Sequence, residues 1–373
     1  MNNGSMRAVG VIPAKRQVGV LSHDFPKIAK DKDVKVRTIE VGICGTDREI
    51  CSFAYGTPPD DCSYLVLGHE ALGEVVDGGN GVTAFKAGDL VVPTVRRPCP
   101  HHRCVPCAAD RQDFCTTGDF TERGIKMKHG FMTEHFVEEE KHLNVVPQHL
   151  RDVAVLVEPL TVAEKALAQV WQVQQRLPAT NGKESLAGSG KTAVVLGAGP
   201  VGILGAMTLL IHGFKTFVYS RSPVPNAKAA VVDAIGAQYI SSQEMPVEEF
   251  AKLTGPVNLI YEAIGVADVA FKVAKILGLN GIYVFTGIPP EQEAVGVEAD
   301  NLMRQMVLKN QIILGTVNAD AAAFESAIRD LSTFKQRWPK ALQSVISGRY
   351  PMEAYRELLL GKSTGIKNVV SIG

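Results

Sequence analysis

The stretch KTAVVLGAGPVGILGAMTLLIHG, residues 191–213, indicates the fold class of this chain. A short apolar run leads into the pattern G-x-G-x-x-G, and an apolar segment of helical length follows it. Glycines in this context let the backbone turn tightly and approach a pyrophosphate, whose charge is stabilised by the amino end of the next helix. The pattern therefore predicts a strand, a phosphate-binding turn and a helix. The predicted cofactor contacts in the turn are Gly197, Gly199, Pro200, Val201 and Gly202.

Strand–helix alternation continues on the carboxyl side of this turn. A second strand candidate ends at residue 220, and four more cover residues 238–240, 257–265, 281–288 and 311–318. About six strands with helical spacers are typical of a doubly wound parallel sheet. This half of the chain is predicted to be a Rossmann dinucleotide-binding domain over residues 161–319.

The amino-terminal half has a different texture. Its short β-rich runs, such as VKVRTIEVG and LVLGHEALGEVV, are separated by glycine, proline and aspartate, which predicts an irregular, mostly β domain. We place this domain at residues 1–160 and expect residues 320–373 to complete it. The predicted fold class is therefore α/β, with one mostly β domain and one doubly wound domain.

Composition narrows the possible functions. The 373 residues contain 39 basic and 39 acidic side chains, so there is no basic patch of the kind that binds nucleic acid. The apolar segments are too short to cross a bilayer, and no signal peptide is recognisable, so we predict a cytoplasmic protein with no membrane partner. Because most assemblies of such proteins are homomeric and symmetric, we also predict a homo-oligomer, either a dimer or a tetramer.

The end of the second strand bears on the choice of coenzyme. NAD-binding folds usually carry an acidic residue about twenty positions after the glycines, where it binds the ribose hydroxyls. Here Ser220 and Arg221 occupy that region, and Arg221 follows Gly202 by nineteen positions. Both side chains can donate hydrogen bonds to a 2′-phosphate, whereas a carboxylate would repel one. The sequence therefore favours NADP, with NAD as the alternative.

All seven cysteines lie in the first third of the chain, and four of them fall within RRPCPHHRCVPCAADRQDFC, residues 96–115. A local cluster in a large chain indicates metal binding more than a disulfide framework. Three of the thiolates would come from Cys104, Cys107 and Cys115. The fourth ligand would be Cys99, His101 or His102. Four protein ligands leave a zinc ion no open position, so this site is predicted to be structural.

A second set of candidate ligands is spread more widely. Cys44 lies in GICGTD, His69 in GHE and Glu158 in the passage toward the second domain. One thiolate, one imidazole and one carboxylate would leave a zinc position open for water or a substrate oxygen. Spacing alone also allows a simpler account, in which Cys44 is a core thiol and His69 ends a strand.

GICGTD, GHE, the cysteine cluster and the glycine pattern occur in the order found in zinc-dependent medium-chain dehydrogenases, which the chain resembles over nearly its whole length. More narrowly, PTVRR, TTGDFTERGI, GFMTE, VEPLTVAEKA and GTVNAD resemble the archaeal-type glucose 1-dehydrogenase branch. That branch oxidises aldoses at C1 to the lactone with NADP or NAD and a catalytic zinc. The resemblance implies a GroES-like catalytic domain followed by the Rossmann domain.

The resemblance also implies roles at the catalytic zinc. Cys44 and His69 would bind the metal. Glu70 and Glu158 would be the remaining protein ligands or close neighbours that exchange with water. Asp47 would accept a hydrogen bond from His69 and orient its ring, as metal-bound imidazoles generally require.

The substrate residues implied by the resemblance are Thr46, Glu122, Glu158 and Asn318. Thr46 would contact the reacting sugar oxygen, and Glu122 and Asn318 match sugar-binding positions. Val95 departs from the family pattern, since sugar-specific relatives carry asparagine there. Valine cannot bind a hydroxyl, so we expect one polar contact to be lost and a different epimer, a deoxy sugar or a smaller sugar to be accepted.

The resemblance assigns the structural zinc to Cys99, Cys104, Cys107 and Cys115. Here residues 100–103 separate the first two cysteines, whereas the family pattern has only two residues between them. This insertion keeps a histidine available as the replacement for Cys99.

The implied reaction is hydride transfer from C1 of an aldose to C4 of the nicotinamide, with zinc as a Lewis acid. One alternative is a zinc-dependent dehydrogenase for a polyol, a simple alcohol or threonine, which would share every metal and glycine motif. Glu122 and Asn318 favour a polyhydroxylated substrate. A more distant alternative is a catalytically silent cofactor-binding protein, since fold alone does not determine function.

Overall fold

The computed structural model describes residues 4–178, 187–290, 294–362 and 364–373. It divides into two compact units. The first comprises Met1–Thr161, Asn318–Lys335 and Ile346–Gly373, and the second comprises Val162–Val317 and Gln336–Val345.

The strands, in chain order, are β1 (Ser5–Ile12), β2 (Gln17–Asp24), β3 (Asp33–Gly42), β4 (Leu65–Val66), β5 (Glu70–Gly78), β6 (Leu90–Pro93), β7 (Arg96–Arg97), β8 (Thr121–Arg123), β9 (Met127–Lys128), β10 (His135–Glu139), β11 (Leu143–Val146), β12 (Thr192–Leu196), β13 (Lys215–Ser220), β14 (Gln238–Ser241), β15 (Val257–Glu262), β16 (Leu277–Phe285), β17 (Ile312–Gly315), β18 (Ile346–Pro351) and β19 (Lys367–Ser371). The α-helices are α1 (Gly45–Cys51), α2 (Val105–Ala108), α3 (Val157–Gln174), α4 (Pro200–Ile211), α5 (Ala227–Ala234), α6 (Val247–Thr254), α7 (Ala267–Val273), α8 (Ala299–Leu308), α9 (Ala321–Arg337) and α10 (Pro339–Val345).

The first unit is mostly β. Its main sheet has the order β11-β6-β5-β3-β19-β18, with β10 also paired to β3. Two smaller sheets, β2-β1-β4 and β7-β8-β9, complete it. The core is built from fully buried aliphatic and aromatic side chains such as Val36, Leu67 and Phe131. This central sheet matters for the site because β3 pairs with both β5 and β19, which places Gly42 opposite Glu70 on one side and Val369 on the other.

The second unit contains a six-stranded parallel sheet in the order β14-β13-β12-β15-β16-β17. Its strands are buried apolar runs, as expected for a sheet with helices on both faces. The strand order reverses between β12 and β15, and dinucleotides bind at such a reversal, outside the carboxyl ends of the strands. The predicted fold class is confirmed.

The division of the carboxyl-terminal segment differs from the predicted one. Residues 320–373 were expected to belong entirely to the first unit, but Gln336–Val345 belongs to the second. The reason is the apolar face of α10, where Ala341, Leu342 and Val345 are buried, and this helix packs against α5.

Within the described part of the chain, no helix has both the length and the apolar content needed to cross a membrane.

Candidate active site

Asp47 connects the two loops that carry the predicted zinc ligands. Cys44 precedes α1, and its main-chain N–H donates to Asp47 Oδ2 at 2.9 Å. Gly68, in the turn before His69, donates its N–H to Asp47 Oδ1 at 3.2 Å. The Asp47 side chain is fully buried. One carboxylate therefore fixes both the backbone at Cys44 and the backbone just before His69.

The same carboxylate faces His69. Asp47 Oδ1 lies 3.5 Å from His69 Nδ1, which is buried and makes no hydrogen bond within the described residues. Burial alone would lower the pKa of His69, but Asp47 and Cys44 raise it well above its ordinary value. Burial would likewise raise the pKa of Asp47, yet His69 holds it below the usual range. A carboxylate that faces one ring nitrogen in this way orients an imidazole whose other nitrogen can bind a metal.

The donor atoms of Cys44, His69 and Glu70 lie within 4.8 Å of one another. A thiolate, an imidazole and a carboxylate are the donors that zinc takes in open catalytic sites, so the residues fit this metal. Gly42 makes room for the carboxylate, since a Cβ at this position would lie 2.2 Å from Glu70 Oε2. Thr46 is near as well, with its Oγ1 at 3.8 Å from Cys44 Sγ.

Lys367 is a site residue that the sequence analysis did not find. Its Nζ donates to Glu70 Oε2 at 2.5 Å and to the carbonyl of Ile43 at 3.0 Å, and the Lys367 and Glu70 side chains are both almost fully buried. Burial would lower the pKa of Lys367, but Glu70 and Cys44 raise it. No motif marks this residue, which follows Glu70 by 297 positions.

Glu158 lies in the first turn of α3 and is not one of the described residues whose donor atoms cluster within 4.8 Å. Burial raises the pKa of Glu158 to about 7, His69 opposes this change and Glu70 adds to it. The carboxyl group is therefore electrostatically connected to the cluster without joining its donor set.

The structure brings together the two predicted sugar-binding residues. Asn318 Nδ2 donates to Glu122 Oε1 at 2.7 Å, although 196 positions separate the two residues in the chain. Arg96 Nε donates to the same oxygen at 3.0 Å. Arg96 was not predicted as a site residue, although it lies in the PTVRR motif and opposite Glu122 in the β7–β8 pair. Val95, its neighbour, is buried in the apolar core of the first unit.

In the cysteine cluster, the four sulfur atoms of Cys99, Cys104, Cys107 and Cys115 lie within 4.8 Å of one another. Four thiolates fit a closed tetrahedral zinc site. Hydrogen bonds from the Thr116 and Cys107 main chains lower the pKa of Cys104 to about 5, which favours the thiolate.

The two histidines of this loop lie outside the sulfur cluster. His101 Nε2 instead contacts Asp119 Oδ2 at 2.5 Å, and the side chains of both His101 and His102 are exposed.

The glycine turn in the second unit has space for a ligand at one position. Gly197 has a φ of +101°, and a Cβ there would lie 2.1 Å from the Ile264 side chain. A Cβ on Gly202 would lie 2.1 Å from the Gly197 carbonyl, whereas a Cβ on Gly199 would meet no atom within 4 Å among the described residues beyond its chain neighbours. The turn is thus closed around Gly197 and open at Gly199, where α4 begins with Pro200. Val201 follows in the first turn of the same helix.

At the carboxyl end of β13, Ser220 is partly buried and Arg221 is exposed. Arg221 uses its carbonyl to accept a hydrogen bond from Ser241 Oγ at 3.3 Å, so the start of this loop is anchored through the main chain. Among the described residues, the exposed Arg221 guanidinium forms no hydrogen bond or ion pair, and it lies at the carboxyl edge of the sheet, where dinucleotides bind in this fold.

Comparison with known proteins is consistent with both units. The family described as "Alcohol dehydrogenase GroES-like domain" matches residues 30–148, and "Glucose dehydrogenase C-terminus" matches residues 151–372. The chain is 37% identical over 369 residues to glucose 1-dehydrogenase of Methanocella arvoryzae, covering 99% of this chain and 100% of the relative. This chain belongs to the archaeal-type glucose dehydrogenase branch of the zinc-dependent medium-chain dehydrogenases.

Other members of the glucose dehydrogenase branch match equally completely. The enzyme of Thermoproteus tenax is 36% identical, with 98% of this chain and 99% of the relative covered. Haloferax mediterranei glucose dehydrogenase, solved in complex with NADP, Zn and gluconolactone, superposes with a TM-score of 0.88 at 30% identity over 99% of both chains. Galactitol-1-phosphate dehydrogenase from Escherichia coli, at 20% identity and a TM-score of 0.78, shares the fold alone.

Proposed function

We propose that the protein oxidises an aldose, glucose or a closely related sugar, at C1 to the aldonolactone and passes the hydride to NADP. The observation that carries this proposal is the hydrogen-bonded pair Glu122–Asn318, held by Arg96 in the same unit as the Cys44–His69–Glu70 cluster. Buried polar groups of this kind favour a substrate that can satisfy them with hydroxyls. The Haloferax relative, whose structure contains gluconolactone and NADP, supports the same reaction.

Tyr55 supports a common substrate space for the Glu122–Asn318 pair and the Cys44–His69–Glu70 cluster. Its side chain is half exposed, and burial followed by the charge of Glu122 raises its pKa. The charges of Arg96 and His69 also act on this phenol. A residue of the sugar-binding pair and a proposed zinc ligand therefore both lie within electrostatic range of one exposed tyrosine.

A catalytic zinc would be held by Cys44 and His69, with Glu70 and Glu158 as further ligands or neighbours. When bound, it supplies Lewis-acid stabilisation of the negative charge that develops on the reacting oxygen. Asp47 keeps the His69 ring in place and Lys367 fixes the Glu70 carboxylate.

The chain's own residues supply binding, orientation and proton transfer around that centre. Thr46 Oγ1 contacts the reacting hydroxyl and takes part in the removal of its proton, with Glu70 as the second candidate. Glu122 and Asn318 hold the remaining hydroxyls and so fix the orientation of the C1–H bond. When the hydride donor and acceptor are both bound and oriented, hydride transfer becomes an effectively unimolecular step.

The coenzyme is bound by the second unit. Gly197, Gly199 and Gly202 allow the diphosphate to approach the start of α4, as the open space at Gly199 supports. Ser220 and Arg221 donate to the 2′-phosphate, which makes NADP the preferred coenzyme and NAD a possible substitute. The cysteine cluster holds a structural zinc through Cys99, with His101 engaged by Asp119 instead.

We further propose a cytoplasmic homo-oligomer whose other partner is the sugar. Helix α8 supports the oligomer, because none of its residues is buried in the described chain. Met303, Val307 and Leu308 on this helix are 66–70% exposed. An uncovered apolar helix face of this kind is typical of a subunit interface.

Absorbance at 340 nm tests the proposed reaction with NADP and then NAD, across aldoses, polyols, simple alcohols and threonine. We expect reduction of NADP by an aldose, lost on chelation and restored by zinc, and two zinc ions per chain by metal analysis. Activity confined to polyols, alcohols or threonine would replace the sugar assignment with the alternative dehydrogenase. No activity together with one zinc or none would favour a cofactor-binding protein without catalysis.

A further inference from the structure

The four-cysteine loop, residues 99–115, is connected to the sugar-binding pair through Arg96. Arg96 Nη1 donates to the carbonyls of Gln112 and Asp113, at 3.5 and 3.3 Å. In return, Gln112 Nε2 donates to the Arg96 carbonyl at 3.5 Å. Since Arg96 Nε also donates to Glu122 Oε1 at 3.0 Å, one guanidinium joins the cysteine loop to a proposed substrate ligand.

This guanidinium has little freedom to move. The side chains of Arg96 and Glu122 are each only 7% exposed, and strand register places the two residues opposite one another. The Phe120 ring lies 3.6 Å from the guanidinium carbon. A planar donor fixed by a ring and by a buried carboxylate transmits a displacement of the loop to Glu122 instead of absorbing it.

Arg111 makes a second connection from the same loop. It binds Asp113 with two parallel hydrogen bonds, from Nε to Oδ1 at 3.1 Å and from Nη2 to Oδ2 at 2.9 Å. Its Nε also lies 3.0 Å from Asp320 Oδ2. The Asp113 side chain is fully buried, so this arginine is held firmly at the loop end of the connection.

Asp320 in turn anchors the segment that carries Asn318. Its Oδ1 accepts the N–H of Ala323 at 3.0 Å, at the beginning of α9. Two residues earlier, Asn318 has a φ of +63°, a left-handed conformation that is uncommon outside glycine. Such a conformation persists where the surrounding contacts determine it, and here it accompanies the 2.7 Å bond from Asn318 to Glu122.

We propose that the four-cysteine loop positions the sugar-binding pair, with Arg96 acting on Glu122 and Arg111 acting through Asp320 on Asn318. The inference rests on the proposed function, because it takes Glu122 and Asn318 as sugar ligands. Because the four sulfur atoms lie within 4.8 Å of one another, Cys99 and Cys115 bring the two ends of the loop together. The loop therefore controls affinity for the sugar, while the coenzyme-binding turn lies in the other unit and is not part of this network.

Two variants and a matched control test this linkage in the full-length, zinc-loaded protein. Arg111→Gln removes the connection through Asp320 and leaves the one through Arg96 in place, and Asp320→Asn removes only the ion pair, since asparagine can still cap α9. Arg103→Gln is the control, because Arg103 belongs to the same loop, is exposed and forms no ion pair within the described residues. The kinetic constants for glucose and NADP and the zinc content are measured for each.

We expect both test variants to raise the KM for glucose about tenfold, the effect of losing one charge-assisted hydrogen bond. The KM for NADP, kcat and the zinc content should stay at the wild-type values, and Arg103→Gln should leave all four unchanged. An equal rise in the KM for NADP, or the same change in the control, would overturn the proposal.

Hydrogen exchange provides a readout that needs no substrate. Peptides covering Thr121–Arg123 and Asn318 should exchange faster in Arg111→Gln and Asp320→Asn than in wild type or Arg103→Gln. Unchanged exchange in both test variants would overturn the linkage even if the enzyme oxidises glucose. A wild-type protein that oxidises no aldose would instead overturn the proposed function, and the exchange rates would still decide the linkage.

Discussion

Replacing Gly42 by alanine should displace the carboxylate of Glu70 while leaving the coenzyme unit intact. Gly42 lies opposite Glu70 in the β3–β5 pair, and an added Cβ would meet Glu70 Oε2 at 2.2 Å and Glu70 Cβ at 3.2 Å. The carboxylate oxygen would have to retreat by about 1.2 Å to reach the 3.4 Å at which ordinary contact begins. It cannot retreat freely, because Lys367 Nζ holds the same oxygen at 2.5 Å.

The size of the effect follows from that displacement. A misplacement of about 1 Å can cost roughly 100-fold in rate, which corresponds to about 2.7 kcal/mol of transition-state stabilisation. Overpacking of a buried site costs about 1–3 kcal/mol of folding free energy, so the variant should still fold. We therefore expect Gly42→Ala to lower kcat with glucose by between tenfold and 100-fold.

The assay is the rate of NADP reduction at 340 nm, with urea unfolding, zinc content and NADP affinity measured on the same preparations. Gly19→Ala is the matched control, because an added Cβ there meets only Tyr355 Oη, at 3.8 Å. We expect the control to match wild type in rate. A folded, zinc-loaded Gly42→Ala protein with a rate within about threefold of wild type would refute the assigned role of Glu70.

Three further predictions concern other parts of the molecule. Arg221→Ala should raise the KM for NADP about tenfold or more and leave the KM for NAD nearly unchanged, because only NADP has a 2′-phosphate to lose a partner; equal effects in coenzyme titrations would contradict the assignment. Charging the exposed face of α8 with Met303→Asp and Val307→Asp should produce monomers in analytical ultracentrifugation, whereas an unchanged assembly would place the interface elsewhere. Burial lowers the pKa of His142 to about 3, so below about pH 6.5 the unfolded state binds a proton that the folded state does not. As the pH is lowered from about 6.5, His142 should therefore reduce the free energy of unfolding by about 1.4 kcal/mol per pH unit. In urea unfolding, His142→Gln should show a correspondingly smaller dependence of this free energy on pH. An identical pH dependence in wild type and variant would contradict the prediction.

Much of the fold could be predicted from the sequence because its strongest signals are local. The turn around Gly197 needs a residue that adopts a φ of +101°, and only the adjoining strand and helix are required to recognise it. The cysteine cluster spans few residues, so ligand spacing alone indicated a metal site. The resemblance to known dehydrogenases extended these local signals to the individual positions Cys44, His69, Glu122 and Asn318.

Pairs that are distant in the chain could not be predicted in the same way. Lys367 meets Glu70 because β3 pairs with β5 on one side and with β19 on the other, and this register brings three distant segments side by side. Arg96 meets Glu122 because β7 and β8 are paired in the same manner.

By itself, therefore, the sequence determined the strand–turn–helix unit that binds a dinucleotide, the local cysteine site and the types of side chain available for chemistry. Tertiary structure decided which of those side chains meet, including the buried Lys367–Glu70 pair and the network from the cysteine loop to Asn318. The physical reason is that local conformation depends on neighbouring residues, whereas a buried polar contact depends on the register of strands that only the complete fold brings together.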